Sequence, residues 1–185
     1  ALLAEARRPV LLAGHGVRLA GAALLFRELA EKLNIPVVTT WNALDLLPYD
    51  HPLLVGRPGV VALRAPNFAV QNCDLLISIG SRLDNIITAY NPRGFARSAK
   101  KVVVDVDRHV IEKLDMEITL PLEADAKSFL IAWLKESNRT YPDWAAWKDR
   151  CVDWKQRYPV NDGAPFPQSG PISHYQLMDA LSDAI

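Results

Sequence analysis

Four short, nearly continuous apolar runs, Pro9–Gly14, Ile35–Thr40, Asp74–Gly80 and Lys101–Asp107, constrain this chain more than any other feature. Each is built largely from aliphatic or β-branched residues and ends in glycine, threonine or aspartate. A half-exposed strand alternates polar and apolar residues, so runs that are apolar throughout belong to parallel strands buried on both faces. A fifth run, Ile118–Leu122, carries Pro121 and suits only a sheet edge or a strand end.

Between the runs the apolar period changes to that of a helix. Ala22, Leu25, Phe26, Leu29, Ala30 and Leu33 mark one face, with Asn34 and Pro36 as stop signals. Ala65–Asn72 and His109–Met116 are shorter candidates, and Asp125–Ser137 places Phe129, Leu130, Trp133 and Leu134 on one stripe. Strands alternating with helices require right-handed crossovers. The expected class is therefore α/β, a Rossmann-like parallel sheet of about five or six strands flanked by helices. The Pro- and Gly-containing segment Asn42–Ala62 reads as a long loop at the carboxyl edge of that sheet, where open α/β folds bind ligands.

Beyond Ser137 the pattern shifts. Asp143 can cap a helix on which Trp144, Trp147, Cys151, Trp154 and Tyr158 recur at spacings of three and four. These tryptophans read as helix packing, because no basic field interleaves them as a base-stacking surface requires. A Pro- and Gly-rich linker follows, then a helix opened by the capping-box pair Ser173 and Gln176. The expected organisation is one α/β domain over 1–137, a helical connector and linker over 138–172, and the start of a following domain over 173–185.

Lysine plus arginine and aspartate plus glutamate stand at 21 each, so no net field draws the chain to nucleic acid or an anionic membrane. Cys73 and Cys151 lack the spacing of a metal knuckle or redox pair, which fits a reducing cytoplasm. No metal site and no nucleophile–base pair emerges. His15 reads as an exposed loop residue, and His51 as a turn residue.

Candidate ligand-binding residues gather at the strand ends. Gly14, His15 and Gly16 give the GxG spacing of a phosphate-binding turn, but Leu19 stands where a dinucleotide fingerprint has its third glycine. Thr39 and Thr40 end the second run, where that fingerprint expects an acid. Gly80, Ser81 and Arg82 close the third, and Asp105 to Asp107 the fourth. Arg82 could pair with a phosphate and Asp105 or Asp107 could accept from a ribose or adenine. Equally, Gly14–Gly16 could be a plain turn, Arg82 could pair with Asp84, and Asp107 could cap the helix starting at Arg108.

The stretches "PVLLAGHGVRLAGA", "LAEKLNIPVVTTWNALDLLPYDHPLLVGRPG", "APNFAVQNCDLLISIGSRLDN" and "FARSAKKVVVDVDRHVIEK" resemble, in order and spacing, the central domain of thiamine-diphosphate-dependent enzymes of the acetolactate synthase and pyruvate oxidase group. The resemblance covers about residues 1–135. It implies a decarboxylase or carboligase that acts, in the full-length parent, on a 2-oxo acid such as pyruvate. It also implies flanking N- and C-terminal domains that hold thiamine diphosphate and Mg2+, and a homo-oligomeric parent. For this domain it implies FAD or ADP beside Gly14, His15, Gly16, Thr39, Thr40, Gly80, Ser81, Arg82, Asp105 and Asp107, with no catalytic or metal-ligating residue of its own. One departure is that Asn85-Ile86-Ile87 stands where flavin-binding members carry a basic residue. Two rival expectations are a non-catalytic adenine-nucleotide module similar to electron-transfer flavoprotein domains, and a purely structural domain.

Overall fold

The computed structural model describes residues 1–136, 139–161 and 165–184. Six strands, β1 (Pro9–Ala13), β2 (Val37–Thr39), β3 (Leu54–Gly56), β4 (Leu75–Ile79), β5 (Lys100–Asp105) and β6 (Leu120–Glu123), form one sheet in the order β3-β2-β1-β4-β5-β6. Every neighbouring pair is parallel. The chain steps outward from β1 to β3, then returns to lay β4 against the free side of β1. That reversal makes the β1–β4 junction the switch point of the sheet.

Alternate residues of each strand enter different cores, which is why the runs look uniformly apolar. Leu11, Ala13, Ile77, Ile79 and Val104 pack with α3 (Ala23–Leu33) and α6 (Ala126–Glu136) on one face. Val10, Leu12, Leu76 and Val103 pack with α4 (Arg64–Asn72), α5 (Arg108–Glu112) and α7 (Ala145–Arg157) on the other. Helix α1 (Leu2–Glu5) precedes β1, α2 (His15–Leu19) follows it directly, and α8 (His174–Ala184) lies farthest along the chain.

Strand β3 falls inside the segment expected to be loop. It has three residues, follows Pro52 closely and ends on the positive-φ Gly56, and so is too short to show a period. Pro121 does lie in the edge strand β6, opposite Val103, where its missing N–H costs no interior ladder bond.

The tryptophans of α7 face inward. The indole N–H of Trp144 donates to the Ala6 carbonyl at 2.9 Å, and that of Trp147 to the Pro9 carbonyl at 3.0 Å. Trp154 meets Trp147 edge to face. Asp143 accepts from the Ala145 amide, one position before the helix's N-cap residue Trp144. Lys155 donates to the carbonyls of Tyr49 and Leu54, and burial lowers its ammonium from the ordinary lysine value. Cys73 and Cys151 are free and buried, and burial pushes both thiols up to about 12, so both stay protonated and inert at neutral pH. In α8 the Tyr175 amide donates to the Ser173 hydroxyl, and Gln176 accepts from the Ser173 amide, completing the capping box.

Ser78, at the centre of β4, is 1% exposed, and its hydroxyl has no partner among the described residues. Removing an unsatisfied buried hydroxyl costs nothing in lost bonds. Ser78→Ala is therefore expected to leave stability unchanged or raise it by up to ~1 kcal/mol, read as the urea midpoint. A loss of that size instead would mean that the hydroxyl has a partner in solution.

Candidate functional site

At the switch point the turns after β1 and β4 touch backbone to backbone. A Cβ on Gly14 would lie 2.1 Å from the Gly80 carbonyl oxygen, and one on Gly16 2.8 Å from the Gly80 Cα. The Gly16 amide donates to the Gly80 carbonyl at 2.9 Å, so it is already engaged. Gly80 has φ +60, the left-handed region that disfavours a side chain. The GxG spacing thus serves a tight crossing of two loops, whatever ligand lies beside it.

Above this crossing a cleft of about 830 Å3 runs along the carboxyl edge of the sheet. His15, Gly16, Thr40, Gly80, Ser81, Arg82, Asp105 and Asp107 all line it. Gly14 sits behind the lining in the crossing, and the buried Thr39 lines a different cavity. Sequence reasoning missed Trp41, Val110 and Asp125, which join the wall through the loops after β2 and β6 and through α5, beside Asn42 of the expected edge loop and Ile86 of the stretch that departs from flavin-binding members. The strand-end rule pointed to those loops, but not to the side chains that turn inward.

His15 is half-buried rather than exposed, and opens α2. Its Nδ1 lies 2.7 Å from the Asn42 carbonyl, which ties the turn after β2 to the turn after β1. Asp107 caps α5 by accepting from the His109 amide at 2.9 Å, and Asp105 accepts from the Asp107 amide at 3.0 Å. Each leaves its Oδ2 without a protein donor among the described residues. The Ser128 amide, 2.9 Å away, holds the Asp125 carboxyl below the usual range, which keeps it anionic.

The alternative Arg82–Asp84 ion pair is not among the ion pairs of the described residues. Asp84 instead accepts from the amides of Ile86 and Ile87 at 3.0 and 3.1 Å, closing its own turn. Leu83 is buried with φ +48, and its amide donates to the Ser81 hydroxyl at 3.3 Å. The turn is therefore fixed on both sides of Arg82. The Arg82 guanidinium itself is exposed on the cleft and has no carboxylate partner among the described residues. An unpaired guanidinium opposite carboxylates suits a ligand that joins a phosphate to hydroxyl or amino donors.

The family model of the thiamine pyrophosphate enzyme, central domain, matches residues 1–133. The chain belongs to that family. This central domain is 42% identical over 129 residues to a probable acetolactate synthase large subunit of Methanocaldococcus jannaschii, covering 70% of this chain and 22% of the relative. It is 34% identical over 186 residues to the acetolactate synthase isozyme 1 large subunit of Escherichia coli K12, covering all of this chain and 31% of the relative. The Corynebacterium glutamicum acetolactate synthase large subunit is 38% identical over 161 residues, which cover 85% of this chain and 25% of that protein. The chain thus spans less than a third of the length of the curated relatives it matches. Among the described residues no three His, Cys, Asp or Glu side chains converge as a metal site needs, and no helix is long and apolar enough to cross a membrane.

Proposed function

We propose that this chain is the central domain of an acetolactate-synthase-like enzyme, acting in the full-length parent on a 2-oxo acid such as pyruvate, in the cytoplasm. Thiamine diphosphate with Mg2+ supplies the carbanion chemistry of such an enzyme and is held here by flanking domains, in a homo-oligomeric parent. The central domain contributes a scaffold and an adenine-nucleotide cleft for FAD or ADP. The observation that carries the nucleotide assignment is Arg82, an unpaired guanidinium held by a rigid turn over the cleft. Arg82 would take the diphosphate, and Asp105 and Asp107 would accept from the nucleoside through their free Oδ2 atoms. The cleft's volume of about 830 Å3 lies within the range common for small-molecule sites.

A scaffold-only reading has its own support. The Gly16 amide, the donor that a GxG turn would aim at a phosphate, is spent on Gly80. Ile86, on the cleft wall, adds no second cation.

Calorimetric titration of the 185-residue chain with FAD, ADP and thiamine diphosphate separates the two readings. Saturable binding of FAD or ADP, weakened about tenfold by Arg82→Ala, is the expected result. Heat from neither nucleotide would favour the scaffold. Saturable binding of thiamine diphosphate alone would overturn the assignment of that cofactor to other domains.

A further inference from the structure

The carboxyl ends of β2 and β3 hold a second cavity of about 650 Å3 that the proposed chemistry does not use. Its floor is apolar and buried, formed by Leu46, Leu47 and Leu54. Its rim carries Leu24 at 81% exposure, Leu44 at 50% and Tyr49 at 66%. Single exposed leucines need no explanation, but several converging on one concavity mark a binding surface.

Of the charged residues that line it, Arg27, Asp45 and Arg57, two are paired with carboxylate or guanidinium partners and one is not. Arg27 is committed to Glu31 at 2.8 Å, and Asp45 to Arg18 at 2.9 Å. Arg57 is half-buried and has no carboxylate partner among the described residues. Its guanidinium lies 4.5 Å from the ring centroid of Trp41, a stacking contact that fixes the group while leaving its N–H edge free. Arg57 lines this cavity and Trp41 lines the cleft, so their stack stands between the two.

We propose that this cavity is a second binding site, for a small amphipathic carboxylate whose anionic end meets Arg57 and whose alkyl body lies on Leu24, Leu44 and Leu54. An ionised carboxylate beside a pre-stacked guanidinium forms a charge-assisted hydrogen bond, while the alkyl part removes exposed apolar surface from water. A cationic ligand of the same shape would face Arg57 with like charge. The site does not depend on the nucleotide cleft being occupied.

The test is amide NMR of the 185-residue chain titrated with hexanoate, with hexylammonium and hexan-1-ol as matched probes. Saturable shifts at Leu24, Leu44 and Arg57 with hexanoate alone are the expected result. Arg57→Gln should weaken that binding about tenfold or more, and Arg57→Lys by less, since lysine keeps the charge but not the planar fork. The amides of Arg82 and Asp107, which line the cleft, should stay unshifted by hexanoate, which separates this site from the cleft. Equal response to all three probes would overturn the carboxylate site in favour of a plain apolar surface. No response to hexanoate would overturn it as well, and shifts at the same amides on raising protein concentration alone would then mark a self-association face.

Discussion

Gly14→Ala should cost the fold ~3 kcal/mol or more, at the upper end of what overpacking does, because its new methyl would sit 2.1 Å from the Gly80 carbonyl oxygen. That neighbour is backbone, so no side chain can swing away, and relief requires the β1 and β4 turns to separate. Gly14 itself has φ −102, which any residue adopts, so the cost comes entirely from crowding. Gly21→Ala provides the contrast. Its φ is +63 but nothing lies within 4 Å of the added carbon, and only the conformational cost of about 1–2 kcal/mol is expected. Urea midpoints of the two variants decide the matter. If Gly14→Ala loses no more than Gly21→Ala, the two turns are not in contact in solution.

Trp147→Ala is the second large effect, expected at about 3–5 kcal/mol. The side chain is 7% exposed, packs edge to face on Trp154, and caps the Pro9 carbonyl at the start of β1. Truncation leaves a cavity and an orphaned carbonyl together. Trp147→Phe fills most of the space and isolates the lost hydrogen bond, for which about 1–3 kcal/mol is expected. A helix that merely trailed from the sheet would tolerate the alanine within about 0.5 kcal/mol, as surface positions do. Thermal or urea unfolding of both variants distinguishes an integral α7 from a loosely attached one.

The strands buried on both faces were legible because burial writes itself directly into composition: Val10, Leu11 and Leu12 have no polar neighbour to break the run. The same rule placed most of the cleft, since parallel strands of known order bring their ends to one edge. Asp107 was legible as a cap, because an acid before a helix is a local signal. What the sequence could not supply was contact between distant loops. Gly14 and Gly16 look like a nucleotide motif in one dimension, and their partner Gly80 becomes visible only when β4 is laid beside β1. Arg82 and Asp84, adjacent but for one residue, invite an ion pair, yet the Asp84 carboxylate finds two amides closer at hand. Strand β3 and the second cavity share one cause. Both arise from a Pro- and Gly-punctuated stretch whose order comes from side chains elsewhere: Glu31 on His51, Arg18 on Asp45 and Lys155 on two carbonyls.

The last of those attachments joins parts of the chain more than a hundred residues apart. Lys155 serves as a latch, since releasing its ammonium requires either α7 to lift or the Tyr49–Leu54 stretch to peel away. Opening would then be shared, and the amides of both regions are expected to exchange with solvent together. Torque applied to α7 from whatever follows it would be felt at Tyr49 and Leu54, in the wall of the apolar cavity.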